Sequence, residues 1–215
     1  MKLISFSLWG TDPSYLDGAL ENAKTANHFY PDYICRFYIH SSVDSKYPDE
    51  LKRLGAEVVI KEGDAEKYGY YWRFEPIADN SIERVLIRDT DSRFSDREES
   101  AVREWEKSKL PIHIMRDDNA HNHEFVCGAC GFVCGCISDF RKLLREWLNG
   151  LRPIEPPMKP GKPYYYTDEE FFCQKIWPMV KNIHMAHDEY FHFSGKEKPF
   201  PKPGPTVCKK YMIGG

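Results

Sequence analysis

The chain has 215 residues, and this length predicts a single compact domain with its own hydrophobic core. Hydrophobic residues make up 41% and charged residues 29% of the chain, a composition that excludes a disordered or fibrous protein. The net charge of −3 supplies no basic field to hold a nucleic acid or an anionic membrane, so we expect neither as a partner.

The first part of the chain alternates apolar strands with amphipathic helices. Residues 2–8 are mostly apolar and precede the turn-forming cluster 9–13, a pattern typical of a buried strand. Leu16, Ala19 and Ala23 then recur at helical spacing. These patterns predict strands over 2–8, 33–40 and 57–60 and helices over 15–29 and 48–54.

The second part of the chain continues this alternation. Its patterns predict strands over 83–88 and 111–115 and helices from Ser95 or Asp96, over 139–148, and from Thr167 to Trp177. Thr167-x-x-Glu170 has the spacing of a capping box. Residues 151–166, rich in Pro, Lys and Gly, predict a loop, and residues 198–205 predict an extended tail. Strands that alternate with helices imply an α/β fold with a mixed, mostly parallel sheet flanked by helices.

Four of the seven cysteines lie close together in the sequence. Cys127 and Cys130 have the spacing of a zinc knuckle, but Cys134 and Cys136 do not, and no second C-x-x-C pair follows. The run 125–134 is small and apolar at almost every position. We therefore expect buried thiols in a strand, because free cysteine behaves there as a small hydrophobic residue.

The two ends of the sequence carry expectations about location. Residues 1–10 are too short and too quickly polar for a signal peptide or a membrane span. We therefore expect a cytoplasmic protein whose cysteines are mostly reduced. Residues 212–215 give no end signal, which favours a domain cut from a longer chain with further domains.

The sharpest local motif is Arg88-Asp89-Thr90-Asp91, at the end of a predicted apolar strand. Ligands of open α/β sheets bind at the carboxyl ends of strands. Two carboxylates two positions apart can share one hard divalent cation, Mn²⁺ or Mg²⁺, which then neutralises the phosphates of a nucleotide. A bare D-x-D is also common in solvated turns and among helix-capping acids.

The surrounding sequence favours the metal-binding interpretation of this motif, because nearly the whole chain resembles the GT-A family of nucleotide-sugar glycosyltransferases. The strings ISFSLWG, YICRFYIH, YWRF, RDTDSR and HIMRD carry the resemblance. They are most similar to a branch found in large algal viruses and some bacteria, which includes the N-terminal domain of a chlorovirus protein that builds capsid glycans. The resemblance implies a Rossmann-like fold with a nucleotide-binding half at about 1–92 and a sugar and acceptor half at about 93–215.

The resemblance also implies roles for residues that match the family's motifs. Phe6, Ser7, Leu8 and Trp9 would receive the uridine, and Arg73, Arg88, Asp89 and Thr90 would contact the donor. Asp89 and Asp91 would hold the metal. The segment 182–188 contains two histidines, and His187 matches the family's third metal ligand better than His184, with Asp188 beside it to orient its ring.

Two acidic positions would face the sugar. Asp117 follows the strand 111–115, where the family holds donor hydroxyls with carboxylates. Asp168 begins a predicted helix, and related retaining enzymes place an acidic or amide side chain from this region near the anomeric carbon. A carboxylate at a helix start is also explained by the helix dipole alone.

These observations predict a metal-dependent glycosyltransferase, and the resemblance favours retention of configuration. It would move a glucose-, mannose- or rhamnose-type hexosyl group from a UDP-sugar, or else a GDP-sugar, to a glycan hydroxyl in viral or cell-surface glycan synthesis. One alternative is a nucleotidyltransferase that makes nucleoside diphosphate sugars, although residues 7–15 lack the basic Gly-rich loop typical of those enzymes. The other is a non-catalytic nucleotide- or sugar-binding module.

Overall fold

The computed structural model describes residues 1–202, which build one seven-stranded sheet with helices on both faces. The strands are β1 Lys2–Leu8, β2 Tyr33–His40, β3 Glu57–Lys61, β4 Arg84–Arg88, β5 Ile112–Arg116, β6 Ala129–Val133 and β7 His184–Asp188. The α-helices are α1 Pro13–Phe29, α2 Lys46–Arg53, α3 Ala65–Trp72, α4 Asp96–Ser108, α5 Phe140–Gly150, α6 Thr167–Phe171 and α7 Trp177–Val180. A 3₁₀ turn spans Glu75–Ala78, and a π-turn, Phe172–Ile176, joins α6 to α7.

The spatial order of the strands is β3-β2-β1-β4-β6-β5-β7. Strand β6 runs antiparallel to both of its neighbours, β4 and β5, whereas the other neighbouring pairs are parallel. The sheet is therefore mixed and mostly parallel, which confirms the predicted α/β class. Because β1, β4, β5 and β7 point the same way, their carboxyl ends meet along one edge.

The central strand β1 is apolar along most of its length because helices cover both of its faces. Ile4, Phe6 and Leu8 pack with α1, α2 and α4 in one core, whereas Leu3 belongs to the core on the opposite face. This second core contains the aromatic residues Phe125, Phe132, Phe171 and Phe172. The Phe172 ring contacts the other three rings, and Phe125 and Phe132 also stack on each other. None of the helices within residues 1–202 is long and apolar enough to cross a membrane.

Most predicted elements occur within two residues of the expected bounds, but one predicted helix cap was wrong and one helix was missed. Thr167 is not a helix cap: it lies inside α6, and its hydroxyl donates to the Tyr164 carbonyl at 2.7 Å. Helix α3 was not predicted at all, although the Asp64 carboxylate caps it by accepting from the Lys67 amide. The predicted tail 198–205 is described only to residue 202, and both Cys208 and residues 212–215 lie outside the described residues.

A buried ion pair ties β4 to α4. Arg88 donates to Glu98 at 2.7 Å, and each side chain is only 1% exposed. Tyr30 donates to the same carboxylate oxygen at 2.9 Å, and Arg88 also donates to the Cys130 carbonyl on β6. Three elements of the sheet and its covering helices therefore depend on one charge pair.

Replacing Glu98 with alanine should destabilise the protein by about 3–5 kcal/mol, because the Arg88 charge would remain buried without its partner. Urea unfolding of Glu98→Ala against the wild type measures this loss. The control is Glu50→Ala, which removes the exposed pair between Glu50 and Arg53 and should leave the urea midpoint nearly unchanged. Equal midpoints for the two variants would contradict the assigned role of Glu98.

Candidate active site

The acidic pair Asp89 and Asp91 lies directly after β4, at the sheet edge where the parallel strands end. Strand β1 is the parallel neighbour of β4, with Ser5 beside Ile87 in the register. The residue that follows β1, Trp9, therefore lies on the same edge as the acidic pair. This is the juxtaposition expected when a ligand spans the ends of two neighbouring strands.

Helix α1 packs against the backbone of the acidic turn and donates hydrogen bonds to it. The Asn22 side-chain amide donates to the carbonyls of Thr90, at 3.3 Å, and Ser92, at 3.0 Å. Gly18, one turn earlier on the helix, faces the same backbone so closely that a Cβ atom would lie 2.1 Å from the Thr90 oxygen. The absence of a side chain at Gly18 is therefore what lets α1 contact the turn.

A buried arginine joins the acidic turn to α6. Arg73, at the end of α3, donates through Nη1 to Asp89 and through Nη2 to Asp168 at 2.9 Å. The arginine and Asp168 side chains are 8% and 6% exposed, so this pair is almost fully removed from water, whereas Asp89 remains partly exposed. The structure thus brings together three predicted site residues that are far apart in sequence.

Two serines on β1 hold the backbone of that arginine. The Ser5 hydroxyl donates to the Arg73 carbonyl at 2.7 Å, and the Arg73 amide donates to the Ser7 hydroxyl oxygen at 3.0 Å. Residues two apart on a strand share one face, so both serines point at the end of α3. Sequence reasoning placed Ser7 with the nucleotide and missed Ser5, whereas the structure uses both to position Arg73.

Burial and neighbouring charges shift the pKa values of the carboxylates in this network. Burial and the neighbouring Asp89 charge raise the pKa of Asp91 to about 6. Burial also raises the pKa of Asp168, and the Arg73 guanidinium opposes that shift. The carboxylates Asp89, Asp91 and Asp168 therefore carry more negative charge than the single Arg73 guanidinium balances. This excess suits a bound metal cation.

Glu169 is a site residue that the sequence analysis did not single out. Its Oε1 accepts from the Cys127 amide at 3.1 Å, while its Oε2 is buried without a hydrogen-bond partner in the described residues. Burial and the Asp168 charge raise its pKa to about 8, so the side chain is largely protonated at neutral pH. The run of acids at the start of α6 was the available signal.

Other residues predicted to contact the nucleotide lie mainly in the core. Phe6 and Leu8 are buried, and the Phe6 ring stacks on Phe37 with centroids 4.6 Å apart. Thr90 is also buried, and Arg88 is engaged by Glu98 as described above. Trp9 alone of the first-strand candidates is half-exposed, and its ring lies 4.8 Å from that of Tyr70.

His187 lies away from the acidic pair. Its strand, β7, is separated from β4 by β6 and β5, a spacing of about 14 Å between the strand axes. The His187 ring is buried, with Nδ1 2.8 Å from Nε2 of His113 and Nε2 3.5 Å from the Glu104 carboxylate. Asp188 does not orient it, because that carboxylate pairs with Arg116.

Asp117 lies in the segment between β5 and β6, where its carboxylate is 3.5 Å from the His121 ring. Burial lowers the pKa of His121, and the charges of Asp118 and Asp89 oppose that shift. Asp89 is thus among the charges that affect the pKa of His121. Sequence reasoning missed His121 because it is five residues past the end of β5, in a segment without periodicity.

Within residues 1–202, no three or more His, Cys, Asp and Glu side chains are grouped closely enough to hold a metal ion. Six cysteines in this part of the chain are free, and Cys127 and Cys130 are buried, where burial raises the pKa of both thiols. Two cavities, of about 530 and 620 Å³, flank α5, and neither is lined by Asp89, Asp91 or Asp168.

Comparisons with known proteins find similarity to solved structures. The chain is similar to a mannosyltransferase from Pyrobaculum calidifontis, solved in complex with GDP-Man and Mn²⁺, at 14% sequence identity and a TM-score of 0.43. The match covers 79% of this chain and 51% of the other, so the chain spans about half the length of that structure. No protein-family model matches the sequence. No curated protein matches it either.

Replacing Gly18 with alanine should destabilise the protein by about 1–3 kcal/mol, because the new methyl group must displace the Thr90 backbone. The matched control is Gly150→Ala at the end of α5, where a Cβ atom meets nothing within 4 Å. That control should be neutral or slightly stabilising, because alanine favours helix. Thermal and urea unfolding compare them, and equal stability of the two variants would show that α1 does not constrain the turn.

Glu169→Gln should remove a pH dependence of stability. Between the unfolded value of 4.5 and the folded pKa of about 8, the folded chain keeps a proton that the unfolded chain releases. Stability from this group is therefore lost as pH rises through that window, at up to about 1.4 kcal/mol per pH unit. Glutamine carries no such proton, so the variant should gain stability over the wild type between pH 6 and pH 8.

Urea unfolding at several pH values measures the effect. Glu170→Gln is the control one position further along α6, and it should retain the pH dependence of the wild type. An unchanged slope in Glu169→Gln would contradict a neutral Glu169 in the folded state.

Proposed function

We propose that this chain is a glycosyltransferase that moves a hexosyl group from a nucleoside diphosphate sugar to a hydroxyl of a glycan. UDP-sugars are the first candidate donors and GDP-sugars the second. One observation carries the proposal: Asp89 and Asp91 follow strand β4 in the middle of the sheet, and Arg73 links Asp89 to Asp168 on a distant helix. A solvated turn would need neither a buried arginine nor support from α1.

The residues of the acidic turn fit a hard divalent cation. Asp89 and Asp91 supply oxygen ligands, which Mn²⁺ and Mg²⁺ prefer. Burial and then the Asp89 charge raise the pKa of Asp91, and a bound cation would oppose both effects. A bound cation supplies Lewis-acid stabilisation of the donor diphosphate. We assign Asp89 and Asp91 to hold it, and we propose His121 rather than His187 as the neighbouring histidine, because β6 and β5 separate the strand of His187 from β4.

Arg73 is the residue that orders this half of the site. Its two-sided contact fixes Asp89 and Asp168 relative to each other, and Ser5 and Ser7 fix its own backbone. Trp9, beside Tyr70 at the end of β1, offers an aromatic face to the nucleobase. Residues up to about 92 would in this way bind the nucleotide, while those from about 93 complete the sugar and acceptor side.

In the reaction, the bond between the anomeric carbon and the phosphate oxygen breaks, and that oxygen keeps the electron pair. The acceptor hydroxyl oxygen forms the new bond to the anomeric carbon, and its proton leaves with the diphosphate. Asp168 stabilises positive charge at the anomeric carbon, Glu169 lies next to it, and Asp117 binds a donor hydroxyl. This arrangement suits retention of configuration, and glycans of a virus or a cell surface are the proposed acceptors.

Two variants of the full chain test the proposal together. Asp91→Asn should abolish Mn²⁺-dependent binding of UDP or GDP, because the cation loses a charged ligand. Asp168→Asn should leave that affinity within a few-fold of the wild type but lower sugar transfer by about 10²–10³. Isothermal titration measures binding with and without EDTA, and a screen of UDP- and GDP-sugars measures transfer or hydrolysis.

The control for both is Asp49→Asn, on the exposed start of α2. Unchanged nucleotide affinity in Asp91→Asn or in EDTA would contradict the metal role. Metal-dependent nucleotide binding with no transfer from any donor would favour the non-catalytic binding module. Near-normal transfer in Asp168→Asn would mean that Asp168 serves only to balance Arg73.

A further inference from the structure

The segment between α5 and α6 forms a closed arm at the mouth of the site. At its base, the Ile154 amide donates to the Pro163 carbonyl at 2.8 Å. At its tip, Lys159 and Lys162 pair across a tight turn, with the Lys162 amide 3.0 Å from the Lys159 carbonyl. Gly161 takes the left-handed backbone conformation in that turn, at φ +73°. The arm is therefore an ordered element whose tip carries two cations.

The tip lies against residues of the nucleotide side. The Lys162 ammonium is 5.2 Å from the centroid of the Tyr15 ring, near the start of α1. The Lys159 ammonium is 5.3 Å from the centroid of the Tyr165 ring. The centroids of the Tyr165 and Tyr70 rings are 6.4 Å apart. Because Tyr70 packs on Trp9, the arm reaches the region where β1 ends.

The tip also lies within electrostatic reach of the acidic turn. Tyr15, which Lys162 covers, lies one helical turn before Gly18 on α1, and Gly18 faces the Thr90 backbone of the acidic turn. The Asp91 and Asp89 charges in turn help burial to raise the pKa of Tyr15, the residue that Lys162 covers. The acidic turn, Tyr15 and the tip of the arm are therefore neighbours on this side of the molecule.

We infer that Lys159 and Lys162 bind the diphosphate of the donor and stabilise it as the leaving group. The inference rests on the proposed function and adds to it the residues that contact the phosphates. Arg73 cannot supply this charge, because its guanidinium is buried and engaged by Asp89 and Asp168. Lys159 is exposed and Lys162 half-buried, so both ammonium groups can turn toward an incoming anion.

The chemistry of the leaving group explains why cations belong there. When the bond to the anomeric carbon breaks, the phosphate oxygen keeps the electron pair and the diphosphate gains one negative charge. A lysine beside it therefore binds the departing diphosphate more strongly than the intact donor, and this difference lowers the barrier. The compact ammonium on a flexible stem suits phosphate contact from a turn.

The test uses the full chain and four probes, namely Mn²⁺ alone, uridine, and UDP and GDP in the presence of Mn²⁺. Lys159→Gln and Lys162→Gln should each weaken the affinity for the diphosphate that the wild type binds by about tenfold, and the double variant by more. Binding of Mn²⁺ and of uridine should stay within twofold of the wild type. Replacing both lysines with arginine should restore most of the affinity.

The control is Lys52→Gln on the exposed face of α2, which removes the same charge far from the arm. Wild-type diphosphate affinity in the double Gln variant would overturn the inference while the proposed function stands. Equal losses for uridine and UDP would overturn it too, by assigning the lysines a structural role. If the wild type binds neither UDP nor GDP with Mn²⁺, the proposed function fails and the inference fails with it.

Discussion

The candidate site depends on the burial of one positive charge. Arg73 is almost fully removed from water, so its guanidinium must be paired, and the two pairing carboxylates come from the end of β4 and the start of α6. The end of α3, β4 and α6 must therefore converge for the chain to fold. The same convergence places Asp89 and Asp168 on two sides of the Arg73 guanidinium, so the need to pair a buried charge produces the geometry of the site.

Much of the fold could be predicted because local periodicity decides it. The unbroken apolar run of β1 and the helical spacing in α1 need only the residues of those segments. Helix α3 was missed because its sequence contains Gly69 and three aromatic residues within four positions. In the structure Gly69 faces the Trp9 ring, where a Cβ atom would approach to 2.7 Å, so a tertiary contact overrides a weak helix pattern.

The parts of the site that depend on spacing along the sequence could be predicted, whereas the parts that depend on the order of strands in the sheet could not. Asp89 and Asp91 are neighbours in any fold that ends a strand at Arg88. The order β4-β6-β5-β7 cannot be read from the sequence, and it is this order that keeps His187 apart from them. Ser5 and Glu169 escaped notice because their partners, Arg73 and Cys127, are distant in the chain.

The two partners of Arg73 also differ in when they become available to a growing chain. Asp89 follows it by 16 residues and Asp168 by 95, so the first pair can form long before the second carboxylate has been synthesised. Strand β6, which inserts between β4 and β5, is likewise made after both of its neighbours. The nascent chain can thus organise β1 to β4 around an arginine with one of its two carboxylate partners, and the part of the sheet from β5 onward is completed last.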